Sequence, residues 1–173
     1  MRRQVGFFPV FLAALAAMPA FAAEKKVAVF DFELIDTSLE GELNGVNPAQ
    51  TARLATLAPR LRADIAAEPG MAVLDIGATA VPPKDRPFNK CETCAIELGK
   101  TLGADIVFTG TVQKVSNLIL NINAYGHEVS TGKLVAQGSA DIRGNTDEMW
   151  GRGLEALWRN TLKKQFLAIE SAP

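Results

Sequence analysis

The stretch "FNKCETCAIELG", Phe88 to Gly99, holds both cysteines of the chain, Cys91 and Cys94, at the mouth of an expected helix. A C-x-x-C placed there admits four readings: a structural disulfide, a redox couple, half of a metal site, or two unbonded thiols. In the redox reading Cys91 attacks and Cys94 resolves, because a helix N-terminus stabilises the thiolate of the outer cysteine. Covalent c-type haem requires C-x-x-C-H, and residue 95 is Ala. Zinc requires about four ligands, and two cysteines with the single histidine, His127, fall short without carboxylates or a second copy. Among the remaining readings the compartment decides.

Three other groups of residues carry chemical potential. Asp31, Glu33, Asp36, Glu40 and Glu42 cluster at and beyond the end of the first expected strand, where open α/β sheets bind ligands. Asp31, Glu33 and Asp36 are weak metal candidates, since the spacing is not that of an EF-hand and a solvated acidic loop accounts for it. In "RGNTDEMWGRG", Arg143, Asn145, Trp150 and Arg152 surround an expected helix N-terminus and form a candidate anion or partner surface. His127 reads as a polar residue on a sheet face. The chain has no P-loop, G-x-S-x-G or H-E-x-x-H, so no catalytic residue and no cofactor is expected, and the protein reads as non-enzymatic.

The N-terminus supplies the compartment. Arg2 and Arg3 precede an apolar run from Val5 to Ala20, and small residues follow at Ala20, Ala22 and Ala23. This is the pattern of a Sec-type signal peptide over residues 1–22, leaving residues 23–173 as a single exported domain. No later segment is apolar and long enough to span a bilayer. An exported protein meets an oxidising periplasm, which makes the staple the default reading of Cys91 and Cys94. Removing Arg2 and Arg3 with the leader shifts the net charge of −1, from 18 basic and 19 acidic residues, to −3. A mildly acidic domain without a basic stripe is a poor partner for nucleic acid or anionic lipid.

The elements that position these residues follow from periodicity. "KVAVFDFEL" alternates as one strand, Lys26–Leu34, with Ala28, Phe30, Phe32 and Leu34 on one face, followed by an acidic loop to Asn47. Asn47-Pro48 opens a helix to about Ala67 that Pro59 should kink or break. "MAVLDI" is a second strand, and residues 77–90 form a proline-rich irregular connection. The helix from the cysteines to Gly103 buries Cys94, Ile96, Leu98 and Leu102. Three strands follow, the last with Leu134, Ala136, Gly138, Ala140 and Ile142 on one face. A final helix is capped by Asn145, with Glu148 at its third position, Trp150 to Phe166 as its apolar stripe, and Gly151 and Gly153 allowing close packing. The order β-α-β-α-β-β-β-α implies an α/β (α+β) domain with one mixed sheet covered by helices.

The succession "KVAVFDFE", helix, "GMAVLDI", "LGADIVFTGTV", strand, "TGK" hairpin and final helix resembles an envelope domain. It is that of the TolB N-terminal domain, the curli protein CsgG and the LpoB-type activators of penicillin-binding proteins. More specifically, Phe30–Gly41, the C-x-x-C before "LGAD", Val112–Asn121 and Asp141–Gly153 resemble a family of small exported proteobacterial proteins of unknown function. That resemblance implies an envelope location and no assigned activity. Abundant folding signals beside the absence of any catalytic constellation point to a periplasmic accessory protein that works by contact with an envelope protein, and Cys91 with Cys94 keep a thiol-disulfide accessory as the alternative.

Overall fold

In the computed structural model, residues 24–84, 86–91 and 93–170 are described, so the expected signal peptide lies outside the described residues. The strands are β1 (Lys25–Val29), β2 (Glu33–Asp36), β3 (Met71–Val73), β4 (Ile106–Ser116), β5 (Ile119–Glu128) and β6 (Leu134–Ile142). The helices are α1 (Leu39–Asn44), α2 (Pro48–Ala66), α3 (Cys94–Leu102), α4 (Asp147–Leu157) and α5 (Lys163–Glu170). A π-helical segment, Trp158–Leu162, joins the last two. One mixed sheet runs β3-β1-β4-β5-β6, with β2 also on β4. Strand β1 pairs in parallel with β3 and β4, β2 pairs in parallel with β4, and the β4–β5–β6 meander is antiparallel. The expected mixed sheet with helices packed on it is the observed architecture.

The first strand is not the uninterrupted one that its alternation predicts. Val29 stands opposite Phe108 and Glu33 opposite Thr111, so four steps along the first strand match three along β4. The extra residue is a bulge, and a bulge inverts the facing of everything after it. Ala28 and Phe30 therefore join one core, while Phe32 and Leu34 join the other. Phe32 is buried over Gly110 of β4, where an added Cβ would sit 2.2–2.5 Å from its ring atoms. Gly110→Ala is accordingly expected to destabilise the fold by about 1–3 kcal/mol through overpacking. Urea unfolding of both proteins measures it, and an unchanged midpoint would show that Phe32 can move aside.

The larger core lies between the sheet and α2, α4 and the π segment, and it contains Leu57, Leu61, Trp150, Leu154, Trp158 and Phe166. Pro59 does not end α2: burial of Leu57 and Ala58 before it and Leu61 and Ile65 after it outweighs the missing backbone bond. Gly153 lets α4 approach the sheet, since a Cβ there would lie 2.4 Å from Ile142, and Gly151 accommodates the Arg60 guanidinium of α2. The smaller core packs α3 against Ala28, Phe30 and Val107 on the opposite face. There Cys94, Ala95 and Gly99 are buried, whereas Ile96, Leu98 and Leu102, expected inside, are only partly covered.

Candidate functional site

Helix α3 is short, and it covers only part of its face of the sheet. Beyond it the outward positions of the meander are polar at every second residue: Thr109, Thr111 and Gln113 on β4, then Asn121, Asn123, Tyr125 and His127 on β5. The uncovered area forms a cleft of about 560 Å³ with Thr109, Thr111, Gln113, Tyr125, His127 and Gln137 on its floor. Its walls are Phe88, Cys91, Ala95 and Ile96, and Leu134 is a lip. Leu134, expected to point inward with the rest of β6, is 44% exposed because a register shift beside His127 turns it out.

The cysteine segment is fixed as one wall of this cleft. Cys91 and Cys94 are joined by a disulfide. Cys94 is buried at the start of α3 and Cys91 is half-buried ahead of it. The Glu33 carboxylate of β2 accepts hydrogen bonds from the backbone N–H groups of Phe88 (3.0 Å) and Asn89 (2.7 Å), and Phe88 packs on Phe30 at 4.7 Å. The turn before Cys91 is thus tied to the sheet from below. Arg86 lies over the outer sulfur, with a guanidinium nitrogen 3.8 Å from Cys91 Sγ and 3.4 Å from the Glu97 carboxylate.

The other sequence candidates separate in space. Asp31 pairs with Arg62 at 3.1 Å, Glu33 holds the turn just described, and Asp36 faces Lys114 at 3.1 Å. Among the described residues no three of His, Cys, Asp and Glu converge as a metal set. The segment after β2, read as an acidic loop, is the helix α1, capped by Ser38, whose hydroxyl accepts from Gly41 N. Asn145 does not cap α4; Thr146 does, accepting from Met149 N. Asn145 instead joins three elements, accepting from Trp150 Nε1 (3.1 Å) and Arg53 Nη1 (3.2 Å) and donating to Asn117 (2.8 Å). Trp150 is in the core at 1% exposure, not on a surface. Arg143 and Arg152 are exposed, Arg152 pairing with Glu148 at 3.3 Å, and the first turn of α4 carries its own anions, Asp147 and Glu148.

One end of the molecule is assembled by a residue that the sequence pattern did not single out. Lys114, 1% exposed, stands across from Asp36 in the β2–β4 register and donates to Asp36 (3.1 Å) and Glu40 (3.0 Å). Burial alone would push the Asp36 carboxyl up, but hydrogen bonds from Ser38 and Lys114 outweigh it and hold it below its ordinary 3.8. Lys114 and Asn117 hold Glu40 below 4.5. Burial draws the Lys114 ammonium down, and Glu40 and Asp36 outweigh that and raise it above 10.5. The Glu40–Asn117 bond (2.8 Å) sets α1 beside the β4–β5 hairpin tip. There Leu39, Leu43, Val46, Val115, Leu118 and Ile119 are 57–83% exposed, although no residue of α1 is buried. Among the described residues no helix is long and apolar enough to cross a membrane.

Residues 25–162 match the family described as "Protein of unknown function (DUF2380)". No curated protein matches the sequence. Among solved structures the chain is similar to the LpoB C-terminal domain from Salmonella enterica, at 15% identity and a TM-score of 0.48, over 72% of this chain and 87% of that one. It is also similar to a PelC dodecamer subunit from Paraburkholderia phytofirmans, at 16% identity and 0.44, over 85% and 96%. A third similar structure is the lipoprotein GNA1162 from Neisseria meningitidis, at 20% and 0.42, over 76% and 94%.

Proposed function

The chain belongs to the family described as "Protein of unknown function (DUF2380)", and from that premise we propose a non-enzymatic accessory protein of the periplasm, exported by the leader over residues 1–22. It works by contact with an envelope protein. The observation that carries this reading is the apolar end, where Leu39 and Leu43 of α1, Val46 just after it, and Val115, Leu118 and Ile119 of the β4–β5 hairpin stand in water, the helix and the hairpin tip being joined by the Glu40–Asn117 bond. Soluble domains seldom leave such groups together unless another surface covers them. Asp141 and Arg143 lie beside Leu118 and Ile119, and the Glu40 carboxylate is already held by Lys114 and Asn117, so the partner surface that fits is apolar with little net charge at its border.

A second reading keeps the disulfide in play. Arg86 beside Cys91 Sγ and the start of α3 would both stabilise a Cys91 thiolate, the feature of an exchange-active pair. One experiment separates the two. The mature protein, with photo-crosslinkers at exposed positions, serves as bait in envelope extract. Leu43→Glu with Leu118→Glu is expected to abolish capture while shifting stability by no more than about 0.5 kcal/mol, the usual size for exposed positions. Cys91→Ser with Cys94→Ser is expected to leave capture intact. Capture that survives the Glu pair and vanishes with the Ser pair would replace contact by thiol exchange.

A further inference from the structure

We infer that the cleft beside the disulfide binds an uncharged glycan segment, at a site separate from the apolar end. The first argument is charge. Among the described residues lining the cleft there is no Lys or Arg, and Arg86 over the outer sulfur already pairs with Glu97, so a phosphate or carboxylate entering it would shed water without an unpaired basic counter-charge. The one carboxylate, Glu33, has both oxygens occupied by the N–H groups of Phe88 and Asn89, so it offers little to a cation.

The second argument is the hydrogen-bonding inventory. Thr109, Thr111, Gln113, Tyr125 and Gln137 present hydroxyls and amides, each able to donate and to accept. They stand on alternate positions of three adjacent strands, a rigid grid with neighbours about 5 Å apart across strands. Asn123 donates to Thr111 Oγ1 at 3.4 Å from the next strand, which leaves the Thr111 O–H to donate elsewhere. Hydroxyl groups on a sugar ring require neutral two-way partners of this kind. The walls supply the complement, since Ile96 and Leu134, with the buried Phe88 and Ala95 behind them, offer apolar surface to C–H faces of the ring.

A peptide fits less well. Extended peptides bind by adding to a strand edge through main-chain hydrogen bonds. The β6 edge next to the cleft is closed by Gln165: its Oε1 accepts from Gln137 N (2.7 Å) and its Nε2 donates to Gln137 O (3.0 Å). The side-chain amide copies what an added strand would do and occupies the place.

The test is amide chemical-shift titration of the full mature protein with cellotetraose, maltotetraose and chitotetraose, and with a neutral Gly-Ser hexapeptide. Saturable shifts centred on Thr109, Thr111, Gln113, Tyr125 and Gln137 with at least one tetrasaccharide are expected. Gln113→Leu and Tyr125→Phe, each removing about one hydrogen bond, the first at an exposed and the second at a half-buried position, should weaken it about five- to tenfold. Shifts with the peptide alone, shifts elsewhere, or none at 10-millimolar sugar (on the order of weak single-sugar affinities) would overturn the inference. Leu43→Glu with Leu118→Glu should leave the titration unchanged. Loss of partner capture with retained glycan binding would therefore fault neither proposal, while each can fail alone.

Discussion

Replacing Trp150 by alanine lowers the unfolding free energy by about 3–5 kcal/mol, the range for truncating a fully buried aromatic that leaves a cavity. Trp150 is 1% exposed and belongs to the larger core with Leu154 and Leu157 of its own helix. The loss extends beyond volume because the indole N–H is one of two donors to Asn145 Oδ1, the other being Arg53 of α2. Asn145 also donates to Asn117, which in turn donates to Glu40. Removing the indole therefore loosens a chain of bonds from α4 to the hairpin tip and α1. Trp150→Phe keeps most of the packing and forfeits the single N–H, so it is expected to cost about 1–2 kcal/mol. Urea unfolding measures both variants. Hydrogen exchange at Asn117 and Leu118 adds a readout that cavity formation alone would not move. Against a typical total of about 5–15 kcal/mol, the alanine variant leaves little margin at 37 °C. A loss under 1 kcal/mol with unchanged exchange would mean that the indole is not an anchor.

What the sequence discloses about this molecule depends on how local the determining interaction is. Asn47-Pro48 opens α2 as expected, because capping and a first-turn proline act within a few residues. The stripe from Trp150 to Phe166 is buried as its spacing implies. Facing along the first strand was not legible: "FDF" alternates perfectly, and the bulge appears only in the register with β4, where Phe32 lies over Gly110 from a distant part of the chain. Asn145, the cap that residue type favours over its neighbour, yields that place to Thr146 because Arg53 and Trp150 engage its side chain. The polar cleft floor was readable in principle. "FTGTVQ" and "NINAYGH" place Thr, Thr and Gln, and Asn, Asn, Tyr and His, at every second position, which marks a solvated sheet face. That α3 stops short of it is a tertiary fact. Lys114 offered least: alternation puts it on the inward side with Phe108 and Val112, where a lysine has no local reason to be, and its counter-charge comes only from the register with Asp36.

Lys114→Met is the sharper probe of how the apolar end is held. At pH 7 it is expected to cost about 3 kcal/mol, because removing one partner of a buried ion pair leaves the other uncompensated. Asp36, with a side chain only 16% exposed, bears that loss; Glu40 can turn to water. The direction of the pH dependence distinguishes this from a packing defect. Depressed carboxylates contribute stability that is present above their unfolded values, 3.8 and 4.5, and drains away as pH falls through the lower folded values. The raised ammonium contributes below 10.5 and loses its contribution as pH rises through its folded value. In wild type the triad is therefore fully effective between pH 4.5 and 10.5. In the variant, Asp36 and Glu40 repel with no cation between them, and protonation relieves the repulsion. The stability gap between the two proteins should be widest on that plateau and should narrow as pH falls below 4.5 and on through the depressed folded values of Glu40 and Asp36. Adding Asp36→Asn and Glu40→Gln to Lys114→Met should recover much of the loss at neutral pH, since Asn still accepts from Ser38 and no charge is left stranded. An equal gap on the plateau and in acid, with no recovery in the triple variant, would show that Lys114 acts through its methylenes and not through its charge.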